Sequence, residues 1–175
     1  KKLVAYSSVS HLGFCMLGMF SLLPIGLSGS LLYMINHGVS TGALFLVVGM
    51  VYERYHTRDL HELGGLARQM PVMAFFFVLF VLSSIGLPGL NGFAGEFLIL
   101  LGTFERAKME MGYPDALPVG IFSVVAVFGV VLGAWYMLWL VQRVFFGPLK
   151  VPHQHAHAAV SDLTTREILA LAPLA

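Results

Sequence analysis

Four stretches of this sequence run for more than twenty residues with almost no formal charge: 3–23, 29–52, 71–104 and 117–141. A helix needs about 20 apolar residues to cross roughly 30 Å of hydrocarbon. Lipid offers no partner for a bare peptide group, so such runs cross as helices that satisfy their own backbone. The expected fold is therefore all-α, a polytopic transmembrane helical bundle. Composition agrees: 58% of residues are hydrophobic and 11% charged, where soluble domains carry about a quarter.

A fifth apolar run, 168–175, stops at the end of the chain, and Lys1 and Lys2 lead straight into the first run without an initiator Met. The chain is expected to be one transmembrane region, 1–175, cut from a longer protein. Lys1, Lys2, Arg54, Arg58, Arg68, Arg143, Lys150 and Arg166 fall on one side of the spans, and only Arg106 and Lys108 on the other. That asymmetry places the N-terminal side in the cytoplasm. A net charge of +1 excludes a strongly basic nucleic-acid surface. The one cysteine, Cys15, reads as a small packing residue.

The first helix is expected to end near Leu23, with Pro24 to Ser28 forming a tight turn. Residues 53–70 read as a polar linker holding a short amphipathic segment at the interface. The third run, at thirty-four residues, would make roughly 51 Å of continuous helix, more than tilt absorbs. Its middle carries Gly86, Pro88, Gly89, Gly92 and Gly95, which argue for a helix broken over about 85–93. Unwound backbone at that depth must be buried in protein or line a cavity.

Glu96 follows the break and is the only formal charge within the four runs. An ionised carboxylate is costly in hydrocarbon, so it must hold its proton, find a cation or sit in water. It reads as an ion site, or else as a structural pair or an acid suited to a half-helix start. His11 lies about 12 Å into the first helix, sharing a face with Ser7 and Ser10. Asn36, His37, Ser40 and Thr41 stripe the second helix, with His37 expected at a comparable distance from the opposite surface. His11, His37 and Glu96 are candidate proton carriers, with the hydroxyls and internal water linking them. Interhelical hydrogen bonding is the alternative.

Two histidines on adjacent helices could also ligate a haem iron, although their expected depths differ. His153, His155 and His157 alternate in a Pro-flanked tail, read as a solvated loop rather than a metal site. Trp135, Tyr136 and Trp139 read as interfacial anchors. No phosphate-binding loop, dinucleotide fingerprint or iron–sulfur ligand set is expected.

The segment from Lys1-Lys2-Leu3 through Ser10-His11-Leu12-Gly13 resembles a motif of the antiporter-like subunits of respiratory complex I and their relatives. Met34-Ile35-Asn36-His37-Gly38 and Tyr52-Glu53-Arg54-Tyr55-His56-Thr57-Arg58 are similar to the subunit M (chain 4) branch of that family. So is Gly86-Leu87-Pro88-Gly89-Leu90-Asn91-Gly92-Phe93-Ala94-Gly95-Glu96-Phe97, where the other branches commonly carry Lys at the position of Glu96. The resemblance implies a fragment of a bundle of about fourteen helices with two broken helices in inverted repeats. By motif match, His11 and His37 stand at central-axis proton-relay positions and Glu96 at the terminal acid. It further implies a proton-translocating membrane subunit of NADH:quinone oxidoreductase, in a bacterial inner membrane, beside other membrane-arm subunits of complex I. NADH, FMN, iron–sulfur clusters and quinone would belong to other subunits. A cation/proton antiporter or membrane-bound hydrogenase subunit is the alternative.

Overall fold

The computed structural model describes residues 1–57, 59–110, 119–150 and 161–175. Its main helices are α1 (Lys2–Phe20), α2 (Pro24–Tyr55), α3 (Pro71–Ser84), α4 (Asn91–Glu110), α5 (Val119–Phe145) and a short α6 (Thr165–Leu171). α1, α2 and α5 are long and apolar enough to cross a membrane. α3, at 14 residues, is about 21 Å long and reaches only part of the way.

The connection between α1 and α2 is tighter than the sequence suggests. Pro24 to Ser28 are already helical, and the turn is confined to Ser21, Leu22 and Leu23. Proline fits the first turn of a helix, where its missing N–H removes no bond. α2 therefore begins five residues before the expected 29, and every depth counted along it shifts by about 7.5 Å.

The polar linker expected over 53–70 starts later than its sequence suggests. α2 continues to Tyr55, and His56 ends it in a left-handed conformation. A loop then leads to one 3-10 turn, Leu66–Arg68. Leu63, Leu66 and Met70 are buried against the bundle, so protein rather than lipid takes up the apolar face. Gly64 and Gly65 let residues 147–150 run alongside, with Gly64 and Lys150 exchanging backbone hydrogen bonds of 3.0 and 2.9 Å.

The main core lies at the end where α1 begins. Val4, Leu44, Val47, Met73, Phe80 and Met137 are essentially inaccessible there, and the rings of Phe77 and Phe145 approach to 4.7 Å. Apolar burial between membrane helices gains little from leaving lipid, so close packing carries the energy. Arg54 ties the C-terminal segment onto this end. It meets both Glu167 oxygens at 2.8 Å and bonds the carbonyls of Met50, Ser161 and Asp162. Asp162 accepts from the Val72 and Met73 N–H groups, capping α3.

α2 and α4 meet along a seam of glycines. A methyl on Gly29 would fall 2.7 Å from Leu98 Cβ, one on Gly95 2.8 Å from Tyr33 Cβ, and one on Gly102 2.7 Å from the Gly26 backbone. Small residues permit such approach between membrane helices.

The broken helix forms as expected, with residues 85–90 joining α3 to α4. Gly86 (φ 70°) and Gly89 (φ 99°) take backbone angles that side chains disfavour. The turn bonds itself through Leu87 N–H to Leu82 carbonyl and Leu90 N–H to Leu87 carbonyl, at 3.1 and 3.0 Å.

Candidate functional site

The buried polar groups gather where α1, α2 and α4 face one another beside the break. Glu96, on the second turn of α4, is 6% exposed. Its Oε1 accepts from the Tyr33 hydroxyl at 2.8 Å. Its carboxylate occupies the space that a side chain on Gly86 would need. Among the described residues no cation pairs with it.

Tyr33 connects this acid to the histidines. Its hydroxyl also meets Nδ1 of His11. His11 stacks on His37, with ring centroids 4.9 Å apart and planes at 28°. His37 in turn lies 3.1 Å, at Nδ1, from the Thr41 hydroxyl. Thr41, His37, His11, Tyr33 and Glu96 thus form one unbroken chain of polar side chains.

The sequence suggests Glu96, His11 and His37 as linked candidates, and the structure places all three side by side through Tyr33. The expected difference in depth between the histidines is wrong, because counting from Pro24 puts His37 about 20 Å into α2. Their stacked faces also disfavour the haem arrangement, in which two ring nitrogens aim at one iron. Tyr33 was missed. It stands one turn before His37, and that i, i+4 spacing was the available signal.

The supporting groups divide into two sets. Asn36 Nδ2 donates to the Asn91 carbonyl at 2.6 Å, and Ser40 and Ser83 share a hydrogen bond of 3.0 Å. Ser83 also bonds the Asn91 side chain. These contacts fasten both ends of the break to α2. Gly92 lies against the Ser83 carbonyl, leaving no space there for a side chain; Pro88 lies at the exposed apex. Ser7 bonds the Val4 carbonyl of its own helix at 2.8 Å. Ser10 is exposed and, among the described residues, joins no part of the chain of polar groups.

Tyr136 is not the interfacial anchor that the sequence suggests, since its hydroxyl is buried. Trp139 keeps an interfacial character, with Arg143 5.6 Å over its ring. His153, His155 and His157 lie outside the described residues.

A membrane bundle with a broken helix and buried titratable side chains beside the break is the setting in which membrane transport proteins place their ion sites. The profile of the family described as "NADH:quinone oxidoreductase/Mrp antiporter, TM" matches residues 1–112, and the chain belongs to that family. It is 44% identical over 174 residues to NADH-quinone oxidoreductase subunit M of Rhodobacter capsulatus, covering 99% of this chain and 31% of that protein. Respiratory complex I from Thermus thermophilus contains a chain superposing with a TM-score of 0.80 at 34% identity, over 98% of this chain and 32% of that one. A chain of the archaeal membrane-bound sulfane sulfur reductase gives 0.84 at 28% identity, over 99% and 26%. The chain thus spans about a third of the length of the curated relatives it matches.

Proposed function

We propose that this chain is the later part of the subunit M membrane subunit of a proton-pumping NADH:quinone oxidoreductase, and that it carries protons through His37, His11, Tyr33 and Glu96. The observation that supports this most is the continuous contact from the stacked histidines through the Tyr33 hydroxyl to a buried carboxylate. Each member can accept or release a proton, and a charge change at one alters the proton affinity of the next. Electron transfer, with its NADH, FMN, iron–sulfur clusters and quinone, belongs to other subunits of the complex. The excess of basic residues on the side where α1 begins supports a cytoplasmic N-terminal side, in a bacterial inner membrane.

Replacing Glu96 with Gln in the complete complex keeps the side chain's size but removes its titration. Assembly should persist while the proton-to-electron ratio and coupled turnover fall. A full ratio in that variant sinks the role of Glu96. A cation/proton antiporter or a hydrogenase-type complex is the second reading, because the family spans the Mrp antiporters as well. Neighbouring genes for an NADH-oxidising arm distinguish the first reading from the second.

A further inference from the structure

Beside the relay lies a small cavity that the chain of polar groups does not use. Ser10 and His11 of α1, Ser84 at the end of α3, Glu96 of α4, and Gly133 and Tyr136 of α5 border it. It offers about 10 Å³ to the centre of a water-sized sphere, which is room for one water.

Two hydroxyls on its wall, Ser84 Oγ and Tyr136 OH, are buried without a hydrogen-bond partner among the described residues. This is out of keeping with the rest of the bundle. Ser7, Ser21, Ser30 and Thr103 each give their proton to a helix carbonyl, and Ser40 and Ser83 share theirs. A helical serine can usually bend back to its own preceding turn, and Ser84 does not. Ser7 lies near Tyr136 but out of hydrogen-bond geometry, and its proton is committed to the Val4 carbonyl. Buried hydroxyls left unpaired are costly, and a site with two to four polar groups and space for one molecule is where buried water binds.

We infer that this cavity holds a single water molecule, positioned by Tyr136 and Ser84 and shared with Glu96 and His11, which brings α5 into the proton path. Water both donates and accepts. It can take a proton on one side and release another of its hydrogens on the other, leaving itself unchanged. Tyr136 and Ser84 are positioning residues, acting through the water on Glu96 and His11. This role rests on the proton-relay reading; the water site itself does not.

The test uses the assembled complex in lipid, imaged at a resolution that shows ordered water, as wild type and as the Tyr136→Phe and Ser84→Ala variants and their double. Each substitution removes a hydroxyl and little else. The expected wild-type result is one density peak within about 3 Å of the Tyr136, Ser84 and Glu96 oxygens. The double variant should lose the peak and part of its proton-to-electron ratio while remaining assembled. Gly133→Ala, which sets a methyl 4.0 Å from the Tyr136 hydroxyl, should weaken the peak without removing a polar group. No wild-type peak, a peak unchanged in the double variant, or a peak that vanishes in sodium-free buffer overturns the water site. A lost peak with an unchanged ratio overturns the place of α5 in the path. A full ratio in Glu96→Gln removes the relay reading while the peak still decides the water site.

Discussion

The Tyr33 hydroxyl donates to Glu96 Oε1 at 2.8 Å, joining α2 to α4 across sixty-three positions of sequence. It is also the group through which His11 reaches the acid. Replacing Tyr33 with Phe keeps the ring packing and leaves the carboxylate without its donor. Pumping-coupled turnover should fall about tenfold, corresponding to about 1.4 kcal/mol, with assembly retained on native gels. Wild-type turnover and proton yield in that variant would show that protons bypass Tyr33.

Much of this site was legible before any coordinates, and the reasons are physical. Charge is so scarce in the spans that Glu96 stood out at once, and glycine with proline in a run too long for the bilayer marked the break. Tyr33 was hidden because a phenol carries no formal charge and sits in a chain with 14 Phe and 6 Tyr. Tyr136 was read by the habit of its residue type, whereas the rotation of α5 turns its hydroxyl inward. His37 was placed at the wrong depth because a proline at a helix start looks like a turn residue until the preceding turn is seen. What the linker 53–70 packs against was hidden for a related reason. Its leucines have an amphipathic spacing, and only the fold reveals a protein surface for them to bury against.

The two left-handed glycines of the break should respond differently to the same change. Gly89 at φ 99° faces open space, so Gly89→Ala costs backbone strain alone, about 1–2 kcal/mol. Gly86→Ala adds a clash with the Glu96 carboxylate. It should therefore destabilise more in thermal unfolding of the detergent-solubilised complex, and also depress proton pumping. Equal effects from the two variants would mean that Glu96 does not rest on Gly86.

The glycine seam predicts a pattern of tolerance. Gly102→Ala presses a methyl into the Gly26 backbone and should cost about 1–3 kcal/mol as α2 and α4 separate. Gly42→Ala and Gly49→Ala meet nothing within 4 Å and should be neutral or slightly stabilising, as alanine is the better helix former. Assembly yields of the three variants measured side by side provide the check.

At the other end of the bundle, the Arg54 guanidinium hydrogen-bonds Glu167 and holds its carboxyl down to about 2, with the Thr164 cap adding to the effect. A depressed carboxyl stabilises the fold fully above its unfolded value and loses that contribution as pH falls toward the folded one. The C-terminal segment should therefore stay docked at pH 5 and above and loosen between about 4.5 and 2. Glu167→Gln should cost about 1–2 kcal/mol at pH 7 and abolish that part of the acid transition. Limited proteolysis near Ser161 as a function of pH would report it.

The Tyr33 hydroxyl has a single hydrogen, and that fact would give the proposed relay a direction. While the hydrogen serves an ionised Glu96, the oxygen can only accept from His11, so the neutral imidazole carries its hydrogen on Nδ1 and a lone pair on Nε2. A proton arriving at Nε2 lets the one on Nδ1 leave toward Tyr33 and the acid. The ring is then the opposite tautomer, blocked until it turns over or is reloaded. Under the proposed function such a path would behave as a turnstile rather than a pipe, passing one proton and then waiting for a reset. Nitrogen-15 spectra of His11 would read the two settings directly.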